Sequence, residues 1–306
     1  MVLLHKKTFD NMNHLSGLGV AMVTPFTDNG KVDFPALQRL IEHLLSGACD
    51  FLVVLGTTAE TPTLTDDEQR SVLDFVIEIN AKRKAIVVGL AGNDTAALCS
   101  RIENFDLTGV DAVLSACPHY NRPTQDGLIA HFTAVAEASH KPVMLYNVPS
   151  RTGCNLAAVS TLELANHPNI FAIKEASGDL AQIDFILKNR PPNFLVFSGD
   201  DALTLAMIAS GSDGVISVIG NALPTVFGEM VHQALFGQII EARQAHLDLA
   251  TSIDAIFAEG NPSGIKAMLE HLGICSSNVR LPLVPATQEL KDRIYSCLAD
   301  LDKAPN

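Results

Sequence analysis

Short, uninterrupted apolar runs return at a regular interval along this chain, and that recurrence constrains its fold more than any other feature. They are LGVAMVTPF (18–26), FLVVLG (51–56), AIVVGLAG (85–92), AVLSACP (112–118), PVMLYNVP (142–149), IFAIKEAS (170–177), FLVFSGDD (194–201) and DGVISVIGN (213–221). Continuous rather than alternating apolar character suits strands buried on both faces of a parallel sheet. The stretches between them read as helices. In DFPALQRLIEHLLSG, residues Phe34, Leu37, Leu40, Ile41, Leu44 and Leu45 share one face, with Asp33 as N-cap and Gly47 as the stop. LTDDEQRSVLDFVIEINAKR opens with Thr65 and Glu68 at capping-box spacing, then sets Val72, Leu73, Val76 and Ile77 together.

Eight strands, each followed by a helical stretch, predict an α/β fold of the TIM (β/α)8 barrel type; a doubly wound open sheet usually needs fewer strands. The barrel is expected over 1–237, with 1–15 a flexible extension. From 238 to 306 the strand signal stops and three helical patterns follow, which predicts a small all-helical C-terminal domain. The chain has 306 residues, 47% of them apolar and 18% charged, enough for a sizeable core. Tryptophan is absent and tyrosine occurs three times, so that core must be aliphatic. The net charge of −13 argues against nucleic acid and anionic membranes as partners. Six scattered cysteines without a C-x-x-C pair, and no secretory or membrane-spanning run, predict reduced thiols and a cytoplasmic protein.

Active sites of such barrels lie at the C-terminal ends of the strands, so polar residues there need a reason. Of eleven lysines, Lys174 alone follows an apolar run. Alternation puts Ala172, Lys174 and Ala176 on the inner face and Phe171, Ile173 and Glu175 on the outer one. A dry ammonium is costly unless paired, and burial favours the neutral amine, a nucleophile toward carbonyls. A structural lysine paired with a barrel acid is the competing reading. Thr57 and Thr58 in GTTAE could cradle a small carboxylate or simply form a polar turn. Tyr146 and Arg151 in YNVPSRTG offer a proton shuttle and a carboxylate fork, or a packed tyrosine with a solvated arginine. Tyr120, in HYNRPTQDG, is a second tyrosine at a strand end. No phosphate loop, dinucleotide G-x-G-x-x-G or H-E-x-x-H is present, and Gly199-Asp200-Asp201 lacks a third ligand at matching spacing, so neither cofactor nor metal is expected.

From Leu18 to Pro285 the order GVAMVTPF, GTTAE, HYNRPTQDG, YNVPSRTG, IKEAS, GDD, GVISV, NPSGIK and RLPLVP resembles the dihydrodipicolinate synthase / N-acetylneuraminate lyase family. Arg151, in Y-N-x-P-x-R-T, resembles the synthase branch rather than the sugar-acid lyases. That resemblance implies condensation of pyruvate with aspartate-4-semialdehyde for lysine and diaminopimelate synthesis. The competing functions are a pyruvate-dependent sugar-acid aldolase, such as an N-acetylneuraminate lyase, and a barrel that binds ligands without catalysis.

Carried over by position, Lys174 would form a Schiff base with pyruvate, and Thr57 and Thr58 would hold its carboxylate. Tyr146, Thr57 and Tyr120 would relay protons, Tyr120 reaching in from a neighbouring subunit of a tetramer built as a dimer of dimers. Arg151 would grip the semialdehyde carboxylate, and Ile216 and Gly199 would line the pyruvate pocket. The chain departs from the family pattern at Ala59, usually glycine, and at His119, where lysine-inhibited members usually have an aromatic. Spacing points to Asp66, Gln69 and Ala97 where those members carry their other effector ligands, and only Asn93 matches. Weak or absent inhibition by lysine is therefore expected.

Overall fold

The computed structural model describes residues 12–301. Eight parallel strands close into a barrel in chain order: β1 (Gly17–Ala21), β2 (Phe51–Val54), β3 (Ala85–Gly89), β4 (Ala112–Ala116), β5 (Val143–Asn147), β6 (Ile170–Glu175), β7 (Leu195–Ser198) and β8 (Gly214–Ser217), which pairs back with β1. The helices around them are α1 (Phe34–Ser46), α2 (Asp66–Asn80), α3 (Thr95–Asn104), α4 (Gln125–Ala138), the single turn α5 (Pro149–Thr152), α6 (Ala158–Leu164), α7 (Leu180–Asn189), α8 (Thr204–Ala209) and α9 (Pro224–Leu235). Three more follow: α10 (Ile239–Phe257), α11 (Ser263–His271) and α12 (Gln288–Leu301). The molecule is thus the expected (β/α)8 barrel with C-terminal helices. No helix among the described residues is long and apolar enough to cross a membrane.

Local signals set the helix starts. The Asp33 side chain accepts from Ala36 N, and Thr65 and Glu68 make both bonds of a capping box. The apolar face of α1 then packs down, with Leu37, Leu40, Ile41 and Leu44 buried.

Inside the barrel a separate apolar cluster includes Phe51, Val53, Val87, Leu114, Met144, Ala172, Phe197 and Ile216. Phe51 and Phe197 meet edge to face with centroids 5.7 Å apart. Gly19 makes room for this pair, since a Cβ there would lie 2.2 Å from the Phe51 ring. The interior is therefore packed and not a pore. Of the extension expected over 1–15, residues 1–11 lie outside the described residues. The remainder is ordered: Met12–Leu15 is a 3-10 turn, and Leu15 is fully buried in the barrel cluster.

One strand departs from simple alternation. The β5–β6 register pairs Val143 with Ile170 but Met144 with Ala172, so Phe171 is an extra residue. Its ring joins the inner cluster instead of the outer face expected for it, while Ile173 stays outside. A bulge shifts the phase of every residue beyond it relative to the neighbouring strand. Lys174 lies beyond the bulge, in register with Tyr146, and lines the cavity at the mouth of the barrel.

Candidate active site

A cavity of about 1010 Å³ opens at the C-terminal ends of the strands. Thr57, Thr58, Tyr146, Arg151, Lys174 and Gly199 all line it. Residues from strands β2, β5, β6 and β7 and the loops that follow them therefore converge on one space.

Lys174 and Tyr146 are register partners on adjacent strands, 5% and 7% exposed. The Lys174 Nζ lies 4.4 Å from the tyrosine ring centroid. Among the described residues Lys174 makes no ion pair, so the reading of a structural lysine held by a barrel acid does not describe it. The contrast is Lys266 on α11, fully buried, whose Nζ meets Glu60 Oε1 at 2.6 Å. Burial lowers the Lys266 pKa, against the pull of Glu60. The next strand over gives Lys174 its clearance. A Cβ at Gly199 would come within 2.7 Å of Ala176 Cβ and 3.0 Å of Lys174 Cε.

Behind Lys174, on the outer face, Glu175 is fully buried. It accepts from Asn147 Nδ2, Ser177 N and Gln182 Nε2. Burial still pushes its pKa above the usual carboxylate range, with those donors opposing. The lysine thus sits on a strand locked by its own outer neighbour.

After β2 the chain turns sharply, with Leu55 and Glu60 in the left-handed region. This presents Thr57 as exposed and Thr58 as buried, both at the cavity. The Thr24 hydroxyl donates to Ala59 O at 2.8 Å and fixes the turn to the segment that follows β1. Arg151 sits in α5, exposed and at the cavity, and Gly153 closes that turn with φ of 75°.

One residue expected at the pocket falls elsewhere. Ile216 is buried in the barrel interior but does not line the cavity; Val218, two residues on, does. Tyr120 is 88% exposed and does not line the cavity of its own chain, where His119 does. Its backbone is nonetheless held in a left-handed conformation, φ 72°, by a bond to Thr152 O. Asp200 and Asp201 are used by the backbone. Asp200 caps Ala202 N, and buried Asp201 accepts from Val218 N and Ile219 N, tying β7 to β8. Burial raises the Asp201 pKa to about 6.

The sequence reading did not single out Asn261, which also lines the cavity and donates to Thr58 Oγ1 at 2.9 Å. Its only trace in the sequence was membership of the NPSGIK segment.

Comparison with known proteins agrees with this geometry. The dihydrodipicolinate synthetase family profile matches residues 14–301. A 4-hydroxy-tetrahydrodipicolinate synthase of Azobacteroides pseudotrichonymphae is 48% identical over 285 residues, covering 93% of this chain and 96% of its own. That of Phocaeicola vulgatus is 47% identical, covering 94% and 97%. The crystal structure of dihydrodipicolinate synthase from Aquifex aeolicus superposes with a TM-score of 0.90 at 37% identity, covering 94% of this chain and 98% of the other. The chloride-inhibited enzyme of Acinetobacter baumannii, complexed with pyruvate, gives 0.91 at 33% identity, covering 94% and 99%. With motifs, fold and near-full-length similarity in agreement, the chain belongs to the dihydrodipicolinate synthetase family.

Proposed function

We propose that this chain is a 4-hydroxy-tetrahydrodipicolinate synthase, condensing pyruvate with L-aspartate-4-semialdehyde. The observation that carries the reading is an inward lysine, 5% exposed and without an ion pair among the described residues, on the wall of a large cavity. Its amine adds to the pyruvate carbonyl and expels water, leaving an iminium that draws electrons from the methyl group. Loss of a methyl proton gives an enamine, which forms a carbon–carbon bond to the aldehyde carbon as the aldehyde oxygen takes up a proton. The amino group of the second substrate then displaces Lys174, closing the ring and restoring the free lysine. One water is released overall.

Thr57 and Thr58 hold the pyruvate carboxylate with directed donors. Tyr146 moves protons next to the reacting carbon, with Thr57 and the Tyr120 of a neighbouring subunit completing the relay. Arg151 orients the semialdehyde through its carboxylate. Gly199 keeps the pyruvate end of the pocket open. The exposure of Tyr120 supports its use across an interface, and a homotetramer built as a dimer of dimers is part of this proposal. The reaction belongs to lysine and diaminopimelate synthesis in the cytoplasm.

Both the arginine and the full-length similarity to synthases favour this reading over a sugar-acid aldolase. Joint presence of lysine, tyrosine and threonines in one cavity disfavours a non-catalytic barrel. The decisive experiment is borohydride reduction in the presence of pyruvate. A reduced pyruvyl adduct on the peptide containing Lys174 is expected, and its absence would refute the proposal. Turnover of aspartate semialdehyde but not N-acetylmannosamine should follow.

A further inference from the structure

A threonine hydroxyl can offer either a lone pair or its proton to a cavity, and only the proton serves a carboxylate. For Thr58 that choice is made outside the barrel. Asn261 lies in the turn between α10 and α11, is 9% exposed, and lines the same cavity. It donates Nδ2–H to Thr58 Oγ1 at 2.9 Å. Its Oδ1 is buried without a hydrogen-bond partner among the described residues, so Thr58 is the one polar group its side chain engages. Thr58 Oγ1 makes no other hydrogen bond there, and its proton is left for the cavity.

The turn that carries Thr58 is held firmly. On α11, Lys266 donates to Glu60 Oε1 at 2.6 Å and to Asn278 O at 2.8 Å. Arg280 N donates to Glu60 Oε2 at 2.9 Å. Glu60 lies in the same turn as Thr58, two residues on, so the C-terminal helices grip that turn at two adjacent points. The buried ion pair fixes position, and the amide beside it fixes the direction of a hydroxyl.

We infer that Asn261 is a positioning residue: by donating to Thr58 Oγ1 it turns the threonine proton into the cavity, toward the carboxylate of the 2-oxo acid bound at Lys174. This rests on the assignment of pyruvate to Lys174 made above. The C-terminal helices thereby supply part of the carboxylate site, although they carry no group that touches substrate in this scheme.

Full-length Asn261→Asp, Asn261→Ala, Thr58→Val and the Asn261→Ala/Thr58→Val double variant test it. The readouts are pyruvate KM, kcat, borohydride trapping at limiting pyruvate, and the unfolding midpoint. An ionised aspartate can only accept, so it would draw the Thr58 proton out of the cavity and set a negative charge beside the carboxylate. Asn261→Asp should therefore raise pyruvate KM about 30-fold or more, against about 5-fold for Asn261→Ala, which merely frees the hydroxyl. In the Thr58→Val background Asn261→Ala should add less than about 2-fold, the signature of two residues acting as one unit.

Equal effects of Asn261→Ala in both backgrounds would overturn the inference. So would an Asn261→Asp enzyme binding pyruvate as well as the Ala variant, or one that loses stability with pyruvate KM unchanged. A wild-type enzyme that traps no pyruvate refutes the proposed function instead; normal trapping with additive effects refutes this inference alone.

Discussion

Tyr146 and Lys174 face each other across the β5–β6 register, with the lysine nitrogen 4.4 Å from the tyrosine ring centroid. The ammonium thus rests on a π face and not on a carboxylate. Its nitrogen makes no ion pair among the described residues, whereas that of Lys266 is held by Glu60. Two buried lysines in one chain are separated in role by whether an acid accompanies them.

Tyr146→Phe keeps that π face and removes only the hydroxyl. Trapping of pyruvate at Lys174 should persist, while kcat falls about 10²- to 10⁴-fold, the usual worth of a positioned acid–base group. Steady-state kinetics alongside the mass of the reduced peptide check this, and loss of the adduct would assign the tyrosine to Schiff-base formation instead.

Arg151 is solvent-exposed at the cavity mouth, well suited to a second substrate that arrives after pyruvate. Arg151→Ala should raise the KM for aspartate semialdehyde about 10- to 100-fold, the worth of a hydrogen bond to a charged group. The pyruvate adduct should form as in the wild type. An equal loss on both substrates would place the arginine elsewhere in the scheme.

The Lys266–Glu60 pair is almost wholly buried, with side chains 0% and 1% exposed. Lys266→Ala strands Glu60 without its partner and should cost about 3–5 kcal/mol in urea unfolding. Replacing both together, Lys266→Met with Glu60→Leu, should recover much of that loss, because two apolar side chains remove both desolvation penalties.

Two histidines should pull stability in opposite directions with pH. His131 has its pKa lowered by burial, with Nε2 unpartnered among the described residues and Nδ1 2.8 Å from the Thr95 hydroxyl. The unfolded chain takes up that proton first, so its contribution is full above pH 6.5 and is lost as pH falls below it. His232 has its pKa raised by the hydrogen bond to Asp50 at 2.7 Å. Its contribution is full below pH 6.5 and is lost as pH rises through the higher folded value. Unfolding midpoints between pH 5 and 8 should therefore lose their acid-side fall in His131→Phe and their alkaline-side fall in His232→Phe.

Millimolar lysine should leave activity nearly unchanged. The residues expected, from the resemblance, where inhibited relatives hold lysine are engaged internally. Arg101 bonds Gln69 and lies 3.6 Å from Asp66, and Asn93 exchanges two hydrogen bonds with the His119 backbone. A dose-response assay at saturating pyruvate checks this, and strong inhibition would contradict it.

Much of the architecture could be read directly because its signals are short-range. A strand buried on both faces shows as a continuous apolar run, and Asp33 and the Thr65–Glu68 box mark helix starts within four residues. Lys174 was legible for the same reason, as a charge set inside an apolar run. The bulge that turned Phe171 inward was not, since register is a property of two strands and not of one.

The chain by itself determined the barrel, its apolar interior and the position of the inward lysine, because continuous apolar runs must be buried on both faces and a charge set inside one stands out. Tertiary structure decided which lysine has an acid and which does not, and that Glu60 anchors the C-terminal helices. It also decided that Asn261 meets Thr58 across 203 positions of sequence. Hydrogen-bond donors recognise acceptors only within about 3 Å. Residues so far apart in the chain acquire that proximity only when the barrel closes and the turn between α10 and α11 packs against the loop after β2.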